Sequence, residues 1–479
     1  MIWRSRLLVV VLLAILAIPA FMNIESSFHE WGGDDPMYIL QARNIVDGRS
    51  QLDTGYVYAS EAQYHPRAYP AGFPLALSPV YKIFGNSIYH FSLLIALMTL
   101  GLSWLSFYYF RSCLRSISLA FALTAVFVFN PWLIDYKSNI RSEIQFSLLC
   151  LLVLYLEERS AQHRGIAILQ GLCLGLAWFT RELAIAFLLA LLIPNDRSGI
   201  SPRRIWSLIS ALGVWVLFSQ ILFPTHSFAS YLDMGNWGDL KRVFGSNSDY
   251  YLRLFQDVVP RSGPTVIQIL LWNFIVSAGI LGYLHSIKRQ GHQYRDWVVI
   301  IYFLILFAWP GRGGYRYLLP ITPIFLLYFY EFGSWIAKEL FPEKVRRIFL
   351  PLTLIFFASV YYQPLRSIQS KVSEVIDGPQ EPQAMEMFER VHALVAPSAI
   401  VLFHSPSPLA LYAGCKGLGE PDLQYSDEML TDYMRRYGAT YVLVDQKHSG
   451  DGIKRWASDP TRASVVWQNS RFILYRTIL

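Results

Sequence analysis

The sequence predicts an α-helical polytopic membrane protein of about eleven transmembrane helices, ending in a small C-terminal α/β soluble domain. Three observations carry this. Of 479 residues 54% are hydrophobic, 15% aromatic and only 16% charged, whereas a soluble globular chain is about one quarter charged. Apolar windows of roughly 20 residues, the length needed to cross a bilayer, recur from the N-terminus to about residue 365. Beyond that point the pattern changes to short apolar runs separated by polar segments. The net charge of +7 is no nucleic-acid signal, because the basic residues lie in short loops between apolar runs, as the positive-inside rule explains.

The windows fall near 5–22, 87–110, 117–134, 143–157, 165–180, 183–195, 204–222, 264–286, 296–310, 318–337 and 348–364. The first resembles a signal peptide, but Pro19-Ala20-Phe21-Met22 is a poor cleavage site, so it reads as an uncleaved anchor. Between Gly165 and Pro194, Arg181-Glu182 interrupts an apolar stretch. One helix would place that pair near the bilayer centre, at a few kcal/mol per charge; two short spans place it at an outer turn. Parity favours two spans, since every inner loop from Arg4/Arg6 to Lys338/Lys344/Arg346/Arg347 is then basic. The N-terminus is expected inside and the tail outside. Cys113, Cys150, Cys173 and Cys415 show no zinc-type or disulfide spacing.

This topology divides the chain into a membrane domain, 1–365, and an extracytoplasmic α/β domain, 366–479. The first outer loop, 23–86, belongs to the former. Within it, Tyr38, Ala42, Ile45 and Val46 give Pro36 to Asp47 the apolar spacing of a helix lying in the interface. Tyr64 to Pro74 reads as a rigid turn rich in proline and aromatics. In the tail, Ala399–Phe403 and Thr440–Val444 read as strands, Asp427–Tyr437 as a helix, and Ser464–Trp467 with Phe472–Tyr475 as a closing hairpin. No phosphate loop or nucleophile motif occurs there, and the tail reads as a cap or acceptor-side module.

The residues suited to chemistry collect on the outer face. In His29-Glu30-Trp31-Gly32-Gly33-Asp34-Asp35-Pro36-Met37-Tyr38, Pro36 starts a helix and Asp35 takes the N-cap. Asp34 then lies on the loop side, beside glycines that allow close approach, and is the candidate general base. Chemistry on a lipid-linked phosphate also needs cations to hold the leaving oxygens. Arg67, Lys137, Arg141, Arg181, Arg312 and Arg316 are the candidates, Arg being suited to forked phosphate contacts. Lys137 and Arg312 are the weakest of these. Arg316 lies in a glycine- and tyrosine-rich turn, and Arg181 interrupts an apolar run, with Glu182 available as its partner. Glu143 starts a span, where the helix dipole favours a carboxylate. His65 with Glu61, or His29 with Glu30, offers ligand types for a divalent metal without diagnostic spacing.

Gly33-Asp34-Asp35-Pro36-Met37-Tyr38, followed by Gln41-Ala42-Arg43-Asn44-Ile45, resembles the Asp-Asp/Glu-x-x-Tyr segment of the membrane-embedded C-type (GT-C) glycosyltransferases. The nearest group is the protein-mannosyltransferase/aminoarabinose-transferase-like family. Tyr69 to Pro74, Asn130-Pro131, Ser142-Glu143, Gly175-Leu176-Ala177 with Thr180-Arg181, and Arg316-Tyr317-Leu318-Leu319-Pro320 follow in that family's order. The likeness covers roughly 1–365, and the tail resembles the soluble domain of bacterial members. It implies an inverting hexosyl- or pentosyltransferase of the bacterial cytoplasmic (inner) membrane, with a periplasmic tail. The donor would be a polyprenyl-phosphate sugar, and the acceptor a glycan, lipid or protein. Asp34 would be the base. Arg316 and Tyr317, with Arg181 and Arg67, would contact the donor phosphate, supported by Asp35, Tyr38, Tyr69, Arg141 and Glu143. Partners are thus membrane lipids, donor and acceptor, and no nucleic acid.

Two rival readings differ in kind. A flippase or transporter of lipid-linked sugars predicts internal repeats and midplane charges, neither of which is visible. A lipid-linked glycan polymerase or ligase would share the outer arginines, but the early Asp-Asp pair argues against it.

Overall fold

The computed structural model describes residues 2–24, 30–62, 64–160, 163–194, 200–225, 240–254, 265–309, 311–371, 377–421 and 425–478. His29 and much of the 223–263 loop lie outside them. The chain forms two compact units. One comprises Met1–Ile24, Ser92–Leu222 and Leu232–Ser373; the other comprises Glu25–Phe91, Phe223–Tyr231 and Glu374–Leu479. The sequence reading kept the first outer loop with the spanning portion, whereas here it clusters with the tail.

The first unit is helical. Its helices are α1 (Ile2–Phe21), then α4 (Ile88–Leu114), α5 (Ile117–Val128), α6 (Pro131–Lys137), α7 (Glu143–Ser160), α8 (Arg164–Thr180), α9 (Ile185–Leu191) and α10 (Pro202–Trp215). They continue with α11 (Leu240–Leu254), α12 (Thr265–Gln290), α13 (Tyr294–Ala308), α14 (Thr322–Leu340) and α15 (Glu343–Lys371). Among the described residues, each apolar window of the sequence overlaps a helix. By length and composition alone, among the described residues, Ile88–Leu114 and Pro202–Leu222 are long and apolar enough to cross a membrane. The pair α5–α6, bent by 57°, makes a third. That bend follows from Asn130-Pro131, where Asn130 caps α6 by accepting from the Trp132 N–H at 2.9 Å. A second break follows α8, where Arg181 is extended at φ −153° and ψ 139°, as the two-segment reading of Gly165–Pro194 requires. Close packing of α8 on α10 explains Gly171: a Cβ there would lie 2.2 Å from the Ser207 carbonyl oxygen.

The second unit contains α2 (Asp35–Asp47), α3 (Gly72–Phe84), α16 (Pro382–Leu394), α17 (Pro406–Tyr412), α18 (Asp427–Tyr437) and α19 (Asp451–Ala457) around one sheet. Its strands are β1 (Tyr56–Val57), β2 (Ile400–Phe403), β3 (Lys416–Gly419), β4 (Ala439–Asp445), β5 (Ala463–Gln468) and β6 (Phe472–Thr477). The strand order is β1-β3-β2-β4-β6-β5. The pairs from β1 to β4 are parallel, and β6 and β5 close the sheet antiparallel. Alternation sorts the strand side chains between two faces. Leu402, Val442, Val444 and Tyr475 pack with Tyr433 and Trp456. Val401, Phe403, Leu443 and Leu474 pack with Phe388, Val391 and Trp31 on the other side.

The described residues of 30–86 are therefore part of this domain's fabric. Tyr56 and Val57 pair with Gly417 and Leu418, the Tyr64 hydroxyl donates to the Glu420 carbonyl at 3.1 Å, and Glu61 meets Arg436 at 2.5 Å. The expectation that 36–47 lies as an interfacial helix is corrected: Met37, Tyr38, Ile39, Leu40 and Ala42 of α2 are at most 2% exposed. The helix contributes both faces to packing. Ile45 and Val46, near its C-terminal end, are half-buried, and α3 exposes Ile83 and Phe84.

A charged knot joins the tail to the loop. Arg471 forks onto Asp445 (Nε–Oδ1 3.0 Å, Nη2–Oδ2 2.7 Å) and reaches Asp377 at 2.8 Å and Glu381 at 2.5 Å. Asp377 also accepts from the Trp31 indole N–H at 3.1 Å and pairs with His448 at 2.7 Å. Burial opposes ionisation of Asp377 and Asp445, but hydrogen bonds outweigh it, from Lys447, Trp31, His448 and Arg471 at Asp377 and from His404 and Arg471 at Asp445, and hold both carboxyls below the usual range. Burial is the main force on His404, 3.3 Å from Asp445, and it depresses the imidazole below its ordinary value of 6.5. Unfolding at acidic pH would therefore take up protons at all three groups, and stability falls as pH falls. The first loss begins below 6.5 as unfolded His404 protonates. The second begins below about 3.8, the ordinary aspartate value. Melting curves of the whole protein from pH 8 to 3 should decline in these two stages, and His404→Gln should remove the first while leaving the Asp377 part of the second.

Candidate functional site

In the helical unit, the sequence-predicted residues meet where α7 begins and α8 ends. Glu143, the first residue of α7, has a side chain with no exposure, and its Oε1 accepts from Arg181 Nη2 at 2.6 Å. Arg316 Nη1 lies 3.6 Å from the same oxygen. Oε2 is buried without a hydrogen-bond partner among the described residues. Arg181 Nε also donates to the Ser142 hydroxyl at 2.8 Å. Both guanidinium carbons sit 5.5 Å from the centre of the Tyr317 ring. The Tyr317 carbonyl is fixed by the Tyr302 hydroxyl at 2.8 Å. Gly314, at φ +67°, lets the turn before Arg316 close.

Two guanidiniums thus share one buried carboxylate, and the trio carries one net positive charge. Such an arrangement holds forked donors in place for an anion. Glu143, which Arg181 reaches, lies 38 residues earlier in the chain. Arg141 is half-buried just before α7. Lys137 is 3% exposed and caps the end of α1 by donating to the Met22 and Asn23 carbonyls. Arg312 donates to Asn247 at 3.2 Å and lies 4.9 Å from the Tyr250 ring. Those two, already the weakest cation candidates, have evident structural partners.

In the second unit, Asp34 rather than Asp35 occupies the N-cap of α2, and Pro36 falls in the first turn. The Asp34 carboxylate makes no capping bond to the backbone. Instead, its Oδ1 accepts from the Tyr69 hydroxyl at 2.8 Å, with His65 Nδ1 3.7 Å away. A helix N-terminus favours negative charge, so the position suits a carboxylate even without the cap. Tyr69 is itself held: its N–H donates to Gln41 Oε1 at 3.0 Å, and Gln41 Nε2 donates to its carbonyl at 2.8 Å. Tyr38 stacks on Tyr69 with ring centres 4.6 Å apart. Asp35 is 4% exposed in the first turn. Arg67 is exposed and lies over the Tyr58 ring at 4.9 Å.

The metal expectation for His65 with Glu61 meets different geometry. Glu61 is taken up by Arg436 and by the Tyr437 hydroxyl at 2.8 Å, while His65 faces Tyr69 and Asp34. Among the described residues no group of three or more His, Cys, Asp or Glu could hold a metal ion. His65 and one carboxylate are two ligand residues, one fewer than the three protein ligands of a catalytic zinc site. Sequence reasoning passed over Gln41 and Trp31. Both stood within quoted segments, and the three-dimensional packing shows what they touch.

No family model matches the sequence, and no curated protein sequence matches it. Solved structures do. ArnT from Cupriavidus metallidurans bound to undecaprenyl phosphate superposes with a TM-score of 0.62 at 13% identity, covering 98% of this chain and 97% of that one. The oligosaccharyltransferase AglB from Archaeoglobus fulgidus, in complex with an inhibitory peptide and a dolichol-phosphate, gives 0.58 at 12%, covering 92% and 70%. The mycobacterial arabinofuranosyltransferase AftD gives 0.55 at 13%, covering 98% and 40%. The chain has the fold of these membrane proteins, the C-type glycosyltransferase fold.

Proposed function

We propose that this GT-C-fold protein is an inverting glycosyltransferase, moving a hexosyl or pentosyl unit from a polyprenyl-phosphate donor to an acceptor hydroxyl at the outer face of a bacterial cytoplasmic membrane. Asp34 takes the proton of the acceptor hydroxyl. The hydroxyl oxygen forms a bond to the anomeric carbon from the side opposite the phosphate. The carbon–oxygen bond to phosphate breaks, its electron pair leaves with the polyprenyl phosphate, and configuration inverts. One base suffices, and no second carboxylate is needed as a nucleophile, unlike in retaining hydrolases. Arg316, Tyr317 and Arg181 hold the phosphate and neutralise the charge it gains, with Arg67 as a further cation. Glu143 sets the two guanidiniums in register, and Tyr69 orients Asp34.

The observation that carries this reading is the buried Glu143 gathering Arg181 and Arg316 around Tyr317. It is strengthened by a likeness in fold to ArnT, whose solved structure holds undecaprenyl phosphate. The test is mass spectrometry of envelope glycolipids, glycans and glycoproteins from cells with the wild-type protein or with Asp34→Asn. One acceptor should lose a single sugar-sized mass in the variant, while lipid-linked sugar accumulates. Lipid-linked sugar trapped on the cytoplasmic face would instead indicate a flippase. Loss of glycan length across many repeats would indicate a polymerase or ligase.

A further inference from the structure

Asp34 lies three residues after a side chain buried in the tail domain. Trp31 is 8% exposed, with its ring among Phe388 of α16, Phe403 and His404 at the end of β2, and Phe472 of β6, at centre distances of 5.3–6.2 Å. Its indole N–H donates to Asp377, and its carbonyl accepts from the buried Ser405 hydroxyl. The Arg471 guanidinium lies 5.5 Å from its ring. Arg471 is in turn locked to Asp445, Asp377 and Glu381. On the far side of Asp34, α2 is held by Gln41 to Tyr69, which bonds the Asp34 carboxylate.

From this geometry we propose that Trp31 is a positioning residue for Asp34, and that the tail domain is the rigid mount of the catalytic loop rather than a cap over the acceptor. The carboxylate sits on a short Gly32-Gly33 tether, whose two glycines would leave it loose if only α2 held it. Seating Trp31 in a packed core on one side and bonding Tyr69 on the other fixes the tether at both ends. Rate is sensitive to such placement, since a shift of about 1 Å at a reacting group costs on the order of a hundredfold. The proposal rests on Asp34 being the base.

The test uses the full chain in detergent or liposomes with Trp31→Phe, which keeps an aromatic ring in the core but removes the N–H donated to Asp377. Ser405→Ala, which removes only the bond to the Trp31 carbonyl, is the second variant should the first fold poorly. Three quantities are read: kcat per folded molecule, affinity for polyprenyl phosphate, and amide hydrogen exchange of residues 32–38. The expected result is a fall in kcat of roughly tenfold with unchanged polyprenyl phosphate affinity and faster exchange confined to 32–38. A purely structural role would lower the folded fraction and leave kcat per folded molecule and local exchange as in wild type, and that result overturns the proposal. Asp34→Asn is run in parallel. If it keeps full transfer, the base assignment fails, whatever Trp31→Phe does. If it is inactive while Trp31→Phe retains kcat and exchange protection, the positioning role alone is rejected.

Discussion

Asp34→Asn is expected to lower the turnover of sugar transfer by about 10²–10⁴-fold, the range a positioned general base contributes, while polyprenyl phosphate binds as before. Asparagine is close to isosteric, and its amide oxygen still accepts the hydrogen bond that the Tyr69 hydroxyl gives Asp34 at 2.8 Å. Loop geometry is therefore kept and only the proton acceptor is lost. The loss should appear in kcat and kcat/KM alike, because the interaction is made as the acceptor proton moves. Single-turnover transfer from a saturating donor, measured beside equilibrium binding of polyprenyl phosphate, separates the two quantities. Turnover within a few fold of wild type would remove Asp34 as the base.

How much of this was legible depended on whether a feature is local in sequence. Apolar windows, the hairpin of β5 and β6, and helix Asp427–Tyr437 were readable because period and punctuation are local. The break at Arg181 was readable because a charged pair inside an apolar run is costly. The N-cap slipped by one residue, from Asp35 to Asp34, since proline is tolerated throughout the first helical turn. Strand β3 was missed because Lys416-Gly417-Leu418-Gly419 has little β propensity. Pairing with β1 and β2 makes it a strand, and Gly417 is required where a Cβ would lie 2.4 Å from the Pro406 carbonyl oxygen. Strand β1 is two residues long and exists only because the tail supplies its partner. The sharing of Glu143 by Arg181 and Arg316 joins residues from three distant segments. No spacing rule encodes such a pairing. The same holds for Trp31, whose partners lie near the other end of the chain.

Arg316→Ala is expected to weaken polyprenyl phosphate binding by roughly tenfold to hundredfold, the equivalent of one charge-assisted hydrogen bond of about 1.5–3 kcal/mol. Arg316 lies 3.6 Å from Glu143 Oε1, which Arg181 approaches to 2.6 Å. Removing Arg316 leaves that carboxylate paired with Arg181 alone, and the trio falls from one net positive charge to none. An anionic ligand then meets a neutral pair. Arg316→Lys restores the charge without the planar fork, so it should recover part of the affinity and steepen its dependence on salt. If Glu143 acts by holding the guanidiniums, Glu143→Gln will also weaken binding even though it makes the site more positive. The double variant Arg316→Ala/Glu143→Gln will then lose less than the sum of the two singles, as expected for residues in direct contact. Equilibrium binding of polyprenyl phosphate to the four proteins of this cycle decides the matter. Normal affinity in Arg316→Ala rejects its role at the phosphate, and tighter binding in Glu143→Gln would make the carboxylate a counter-charge rather than an organiser.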